Sequence, residues 1–135
     1  MYRGIIAVLR FVIQEHHARS HHFDFRLEKD GVVKSWAVPK GIPETVGLKR
    51  LAVQVEDHDL TFGEFEGVLP EGQYGAGRIR IWDTGTYECS EWSPTKIAFN
   101  LFGRLIQGAF IMVRFSDPTS PKRLLTRLAT GDPQA

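Results

Sequence analysis

In the run His22-Phe23-Asp24-Phe25-Arg26-Leu27, polar and apolar residues alternate without a break. Side chains of an extended chain point to opposite faces in turn. The run therefore reads as a half-buried strand. Phe23, Phe25 and Leu27 form its apolar face, and His22, Asp24 and Arg26 its polar one. A fold built on such a strand needs one apolar side to bury and one polar side left over.

The rest of the chain repeats this texture. Strands are predicted near 5–9, 11–15, 22–28, 32–38, 50–56, 78–82, 85–88, 97–102 and 109–115. Turn signals separate them: Asp30-Gly31, Lys40-Gly41-Ile42-Pro43, the glycine-rich run 70–77 and Asp83-Thr84-Gly85. Asp30-Gly31 between two extended runs is a hairpin signal. Only 119–129 has the pattern of a helix, and a weak one. Many short strands with little helix predict a mainly β protein, an antiparallel sandwich or small barrel. Closure into a barrel would remove exposed strand edges. The pattern that recurs is an apolar interior with a polar outer face that carries the unusual residues. The 135 residues suit one domain, 1–135, with a disordered tail over 130–135.

Parity sorts the faces further. In 51–58, Leu51, Val53 and Val55 alternate with Gln54, Glu56 and His58, which places Glu56 and His58 on a common polar face. Apolar residues take both parities in 109–115, as in a strand buried on both sides.

The formal net charge is only +1, so any nucleic-acid contact is expected to be local, at one end or one phosphate. Cys89 is the single cysteine, which excludes an internal disulfide and leans toward a cytoplasmic setting. It reads as an inert thiol. The apolar run Ile5-Ile6-Ala7-Val8-Leu9 is too short to span a bilayer, and no targeting segment is evident.

Five histidines lie between 16 and 58. His16, His22 and Asp24 share parity across a turn at Ala18-Arg19-Ser20. Two imidazoles and a carboxylate suit a borderline divalent ion such as Mn²⁺ or Zn²⁺. Arg26, two residues after Asp24, could pair with phosphate oxygens or merely orient Asp24. His58 could be a third ligand, a phosphate donor or a general acid, with Glu56 orienting an imidazole. His17 and His21 have the opposite parity and read as solvated side chains. Lys40 and Arg50 flank a Gly/Pro-rich loop, and each alone reads as a solubilising charge. The run 70–77 lacks the lysine of a phosphate loop and reads as a tight connection.

Several stretches together resemble one known family: Phe11-Val12-Ile13-Gln14-Glu15-His16, His22 to Glu28, Lys34-Ser35-Trp36-Ala37-Val38-Pro39-Lys40-Gly41, Arg50 to His58, Phe65 to Gly77, and Ile81-Trp82-Asp83. It is the 3′-phosphoesterase domain of bacterial ATP-dependent DNA ligase D, of which stand-alone versions exist. The resemblance covers about residues 11 to 115 and rests on motifs in order. It implies a small closed or nearly closed antiparallel β-barrel with its active site on the outer surface, and Mn²⁺-dependent removal of a 3′ ribonucleoside or 3′-phosphate from DNA or DNA–RNA ends, leaving a 3′-OH for end repair. Zn²⁺ and Co²⁺ are alternative ions. A separate ligase or polymerase would be a partner, and no membrane is involved.

By position, the resemblance makes His16, His22 and Asp24 metal ligands. Arg26 and His58 hold the scissile phosphate, with His22, Arg26 and His58 catalytic. Lys40 and Arg50 add phosphate contacts, and Gln14, Ser35 and Glu56 support the site. Two departures stand out. Phe62 occupies a position where the family commonly has a phosphate-binding tyrosine, which would lower activity unless a group such as Tyr74 substitutes. Met1 to Arg10 do not match the family's longer charged arm, so the balance of diester and monoester cleavage is left open. Loss of a ligand is expected to abolish turnover and spare the fold, because the cluster faces outward. Two readings from other classes are a DNA 3′-end-binding module without catalysis and an iron(II) oxygenase. The latter follows from His22, Asp24 and His58 as a two-histidine, one-carboxylate triad.

Overall fold

The computed structural model describes residues 8–61, 66–69, 77–115 and 117–134. Nine strands form one sheet among them: β1 (Leu9–His17), β2 (His21–Lys29), β3 (Val32–Val38), β4 (Lys49–His58), β5 (Gly67–Leu69), β6 (Gly77–Trp92), β7 (Lys96–Gly103), β8 (Gln107–Arg114) and β9 (Lys122–Arg127). The order is β1-β2-β3-β4-β9-β8-β7-β6-β5, and β1 also pairs with β6. That extra pairing closes eight antiparallel strands into a barrel and leaves β5 outside the ring. The mainly β, closed-barrel expectation is met. No helix among the described residues is long and apolar enough to cross a membrane.

The alternation in β2 sets which side is inside. Phe25 and Leu27 are fully buried with Phe11 and Ile13 of β1, Trp36 and Val38 of β3, and Phe99, Phe110 and Leu125 from the far wall. Phe25 stacks on Phe99 at 5.6 Å, and Phe99 stacks on Phe110 at 5.9 Å. These rings cross the interior from one wall to the other, filling it with large rigid side chains. In β8, Phe110 and Met112 face this core. Ala109 and Ile111 pack outside it with Ala98 and Leu128, as the double parity of 109–115 implied.

Asp30 and Gly31 take φ of 53° and 80°, and the β2–β3 hairpin turns there as expected. Other expectations need correction. The expected strand 5–9 lies mostly outside the described residues, and residue 9 joins 11–15 in one strand, β1. Residues 122–127 of the expected helix form β9, because that strand fills the slot between β4 and β8, and Leu125 belongs to the core. Asp83-Thr84-Gly85 does not turn the chain; β6 runs through it. Asp83 is buried, and its carboxylate accepts from the backbone N–H groups of Arg104, Leu105 and Ile106. Gly85 is required for close approach: a Cβ there would overlap the Phe102 carbonyl oxygen on β7. Most of the 70–77 run lies outside the described residues. Residues 130–134 form turns, and Gln134 Oε1 accepts from Lys96 Nζ at 3.0 Å.

Candidate metal centre

The β1–β2 register places His16 opposite His22, Gln14 opposite Asp24 and Val12 opposite Arg26. In turn β2–β3 pairing sets Arg26 opposite Ser35. Residues directly opposite share a face. His16, Gln14, His22, Asp24, Arg26 and Ser35 therefore form one patch on the outside of the barrel, behind the Phe11–Phe25–Trp36 core.

This outer patch is buried, not solvated. His16 and Asp24 are each 6% exposed, Arg26 is 4% exposed, and Gln14 and Ser35 are fully covered. His16, His22, Asp24 and Arg26 form the floor of a groove of about 800 Å³ walled by Ala37, Val55, Leu69 and Ile79. Apolar walls around a charged floor lower the local dielectric and strengthen each polar contact inside.

His16 Nδ1 lies 3.5 Å from Asp24 Oδ2, and His22 Nε2 lies 3.2 Å from Asp24 Oδ1. The two imidazoles are 4.8 Å apart, tilted by 55°. One ligand atom from each of the three residues lies within 4.8 Å of the others. His22 Nδ1 is 3.1 Å from the Ser20 carbonyl oxygen, so Nδ1 is the nitrogen that donates there and Nε2 faces Asp24. The hydrogen bond to Asp24 raises the pKa of His22 against the opposing effect of burial. Burial pushes the Asp24 carboxyl up, but the His22 hydrogen bond and the Arg26 charge outweigh it and hold the pKa below the ordinary value. A proton held between His22 Nε2 and Asp24 would compete with a divalent ion for the same atoms. The donor set of two nitrogens and one carboxylate fits a borderline ion.

Arg26 is fixed on three sides. Its Nε donates to Gln14 Oε1 at 2.5 Å, its Nη1 donates to Ser35 Oγ at 2.6 Å, and its Nη2 stands 3.6 Å from Asp24 Oδ2. Burial lowers the Arg26 pKa and the Asp24 charge opposes that shift. Gln14 and Ser35 thus each hold the guanidinium, fixing it in one orientation. Asp24 is its counter-charge. That changes the expectation that losing a ligand would spare the fold.

His58 and Glu56 line the same groove, though not for the reason that parity suggested. Gln54 pairs with the inward-facing Trp36, and Val53 and Val55 pair with Ala37 and Ser35 on the outer side. The outward face of β4 is therefore the Val53–Val55 one. Between Ser35↔Val55 and Val33↔His58, β4 carries one residue more than β3. This bulge turns His58 back to the outer face. Burial lowers the His58 pKa, and the Arg26 charge lowers it further.

Two expected phosphate contacts are not brought to the groove floor. Arg50 lies opposite the core residue Leu125, on the inward parity, with a buried Nε. Lys40 is exposed in the turn after β3. Phe62 and Tyr74 lie outside the described residues. The apolar walls Leu69 and Ile79 come from β5 and β6 and carry no chemical signal of their own in the sequence. Glu15, His17 and His21 gather on the opposite face of the hairpin, where parity alone gave no reason to look.

The sequence that builds this groove is similar to known proteins. Residues 14–114 match the family profile of the DNA ligase D 3′-phosphoesterase domain. The chain is 48% identical over 108 residues to the multifunctional non-homologous end joining protein LigD of Mycobacterium bovis, covering 77% of this chain and 14% of that protein. It is 44% identical over 116 residues to the LigD protein of Mycolicibacterium smegmatis, covering 78% of this chain and 15% of that one. The LigD protein of Pseudomonas aeruginosa is 44% identical over 117 residues, covering 79% and 13%. The chain thus spans about a seventh of the length of these relatives. All residues of the groove floor fall within the matched segment.

Proposed function

This chain belongs to the DNA ligase D 3′-phosphoesterase domain family, and on that premise we propose that it is a Mn²⁺-dependent hydrolase that heals DNA 3′ ends for non-homologous end joining. Its substrates are DNA or DNA–RNA 3′ ends carrying a terminal ribonucleoside or a phosphate, and its product end is a 3′-OH. A separate ligase or polymerase would use that end. The observation that carries this reading is the buried His16–His22–Asp24 set with a fixed guanidinium against Asp24 on the same groove floor.

His16, His22 and Asp24 are the residues that would hold the ion. Manganese bound there would supply Lewis acidity toward a phosphate oxygen and acidify water. Arg26 presents a donor fork whose orientation Gln14 and Ser35 set in advance, so it stabilises charge on the phosphate without reorganising. His58 faces the groove neutral at pH 7 and takes up a proton as it meets the phosphate dianion. The Ala37, Val55, Leu69 and Ile79 walls exclude water from the sides of the bound end.

The test is a labelled primer–template ending in one ribonucleotide, incubated with the chain and Mn²⁺, Zn²⁺ or Co²⁺. Stepwise shortening to a hydroxyl end with wild type, and none with Asp24→Asn, is the expected result. Ends that stay intact with every ion refute the hydrolase. If those intact ends also stay bound, the end-binding module is the better reading.

A further inference from the structure

The β1–β2 hairpin carries a histidine pair on each of its faces. His16↔His22 and His17↔His21 are successive cross-strand pairs, so their side chains project to opposite sides. On the second side Glu15 precedes His17 by two residues and shares its face. Glu15 Oε2 is 2.9 Å from His21 Nε2 and 3.5 Å from His17 Nε2. The two rings stack at 4.5 Å with only 13° between their planes. One ligand atom from each of the three residues lies within 4.8 Å of the others. The arrangement repeats the His16–His22–Asp24 pattern: a cross-strand imidazole pair and a carboxylate one pleat away.

The surroundings set these groups in place. Arg80 lies opposite Glu15 in the β1–β6 register, and its Nη2 donates to Glu15 Oε1 at 2.7 Å. The other carboxylate oxygen is thereby directed at both imidazoles, as an outer partner orients a ligand. The His21 ring lies against Phe23 at 5.4 Å, and Phe23 meets Trp82 edge-on at 6.0 Å. The histidine side chains are 51% and 49% exposed, so a solvent ion reaches them directly.

We propose that Glu15, His17 and His21 form a second divalent-cation site of the zinc class, distinct from the His16–His22–Asp24 centre, that staples β1 to β2 at the turn end of their hairpin. Two imidazole nitrogens and one carboxylate oxygen are a donor set for such an ion, with water completing the shell. The site opens to solvent, and Arg80 adds a nearby positive charge, so it is the weaker of the two. Its occupancy stiffens the two strands on which His16 and His22 ride.

Equilibrium dialysis of the full chain against Zn²⁺ alone tests this. Wild type is expected to hold about two ions per chain, and the His17→Ala/His21→Ala and Asp24→Asn variants about one each. Glu15→Gln should weaken only the exposed site, by at least about tenfold. Zn²⁺ should raise the melting temperature of wild type more than that of His17→Ala/His21→Ala. The double variant changes two half-exposed side chains, and its melt without zinc verifies that it folds. A double variant that holds as much zinc as wild type, with an equal thermal gain, overturns the second site. In that case loss of zinc from Asp24→Asn still supports the first, so failure of one site is distinguishable from failure of the other.

Discussion

Asp24 neutralises a guanidinium that is almost wholly buried, and it is also the carboxylate of the candidate metal set. Its removal acts twice. Asp24→Asn should lower Mn²⁺-dependent turnover by more than about 100-fold, since outer-partner changes alone cost about 10–100-fold. It should also destabilise the chain by about 3 kcal/mol, because Arg26 is left as an uncompensated buried charge. Denaturant unfolding beside a 3′-end assay separates the effects, and unchanged stability would show that Arg26 does not depend on Asp24. His58 yields a pH prediction. Burial and the Arg26 charge lower its pKa, so it is neutral at pH 7 in the free chain. An anion between Arg26 and His58 favours the protonated imidazole, so binding takes up a proton. Sulfate, whose charge is constant over this range, should therefore bind more tightly as pH falls from 7 through the lowered pKa. Calorimetric titration should show that gain in wild type and its loss in His58→Ala. If the variant keeps the same pH dependence, His58 does not face the anion.

At the scale of elements, the site depends on how β1 is held between β2 and β6. Gly77 begins β6 opposite the end of β1 with φ of 131°, and a Cβ there would overlap the His17 carbonyl oxygen. Gly77→Ala should cost more than about 1 kcal/mol by spreading the β1–β6 seam. Because His16 lies on that seam, Mn²⁺ affinity should fall with it. Gly31→Ala, in a turn with open space around it, should leave Mn²⁺ affinity unchanged; thermal melts and metal titration of both variants check the contrast. The same elements show what a sequence can and cannot disclose. The His22–Leu27 alternation was legible because a period of two has one physical meaning over six residues. The bulge in β4 was not, because an extra residue between Val55 and His58 leaves no mark on composition while it reverses every side chain beyond it. Strict parity puts Glu56 and His58 on one polar face, but the strand abandons that parity, and they share the groove because of the bulge. Lys122 to Arg127 lacks strict alternation, so its sequence favours a weak helix over a strand. Its conformation follows from the gap between β4 and β8, which is a tertiary fact.

On the scale of the whole molecule, closure decided the fold, and charge bears on how the barrel would meet the proposed DNA end. Many short strands with little helix left a sandwich and a barrel both open, because the β1–β6 pairing that closes the ring joins segments distant in sequence. Burial of the outer patch was not legible either, because β5 and the end of β4, distant in sequence, wall the groove. Seventeen basic against sixteen acidic residues leave no surplus for tracking a duplex by charge. If the proposed function holds, affinity for a 3′-phosphate end comes from a few fixed cations at the groove, Arg26 above all. Counterion release scales with the phosphates neutralised, so the slope of log K against log salt should be no steeper than about −3, a count of about three phosphates. Lengthening the duplex should add little, since distant phosphates meet no basic track. Fluorescence anisotropy with metal-free protein and chelator, on short and long duplexes bearing a 3′-phosphate, measures both quantities without turnover. A slope steeper than about −6, with affinity rising with duplex length, would mean that an extended surface holds DNA. A shallow slope that is the same for both lengths, and that disappears with Arg26→Ala, would place recognition at the terminal phosphate itself.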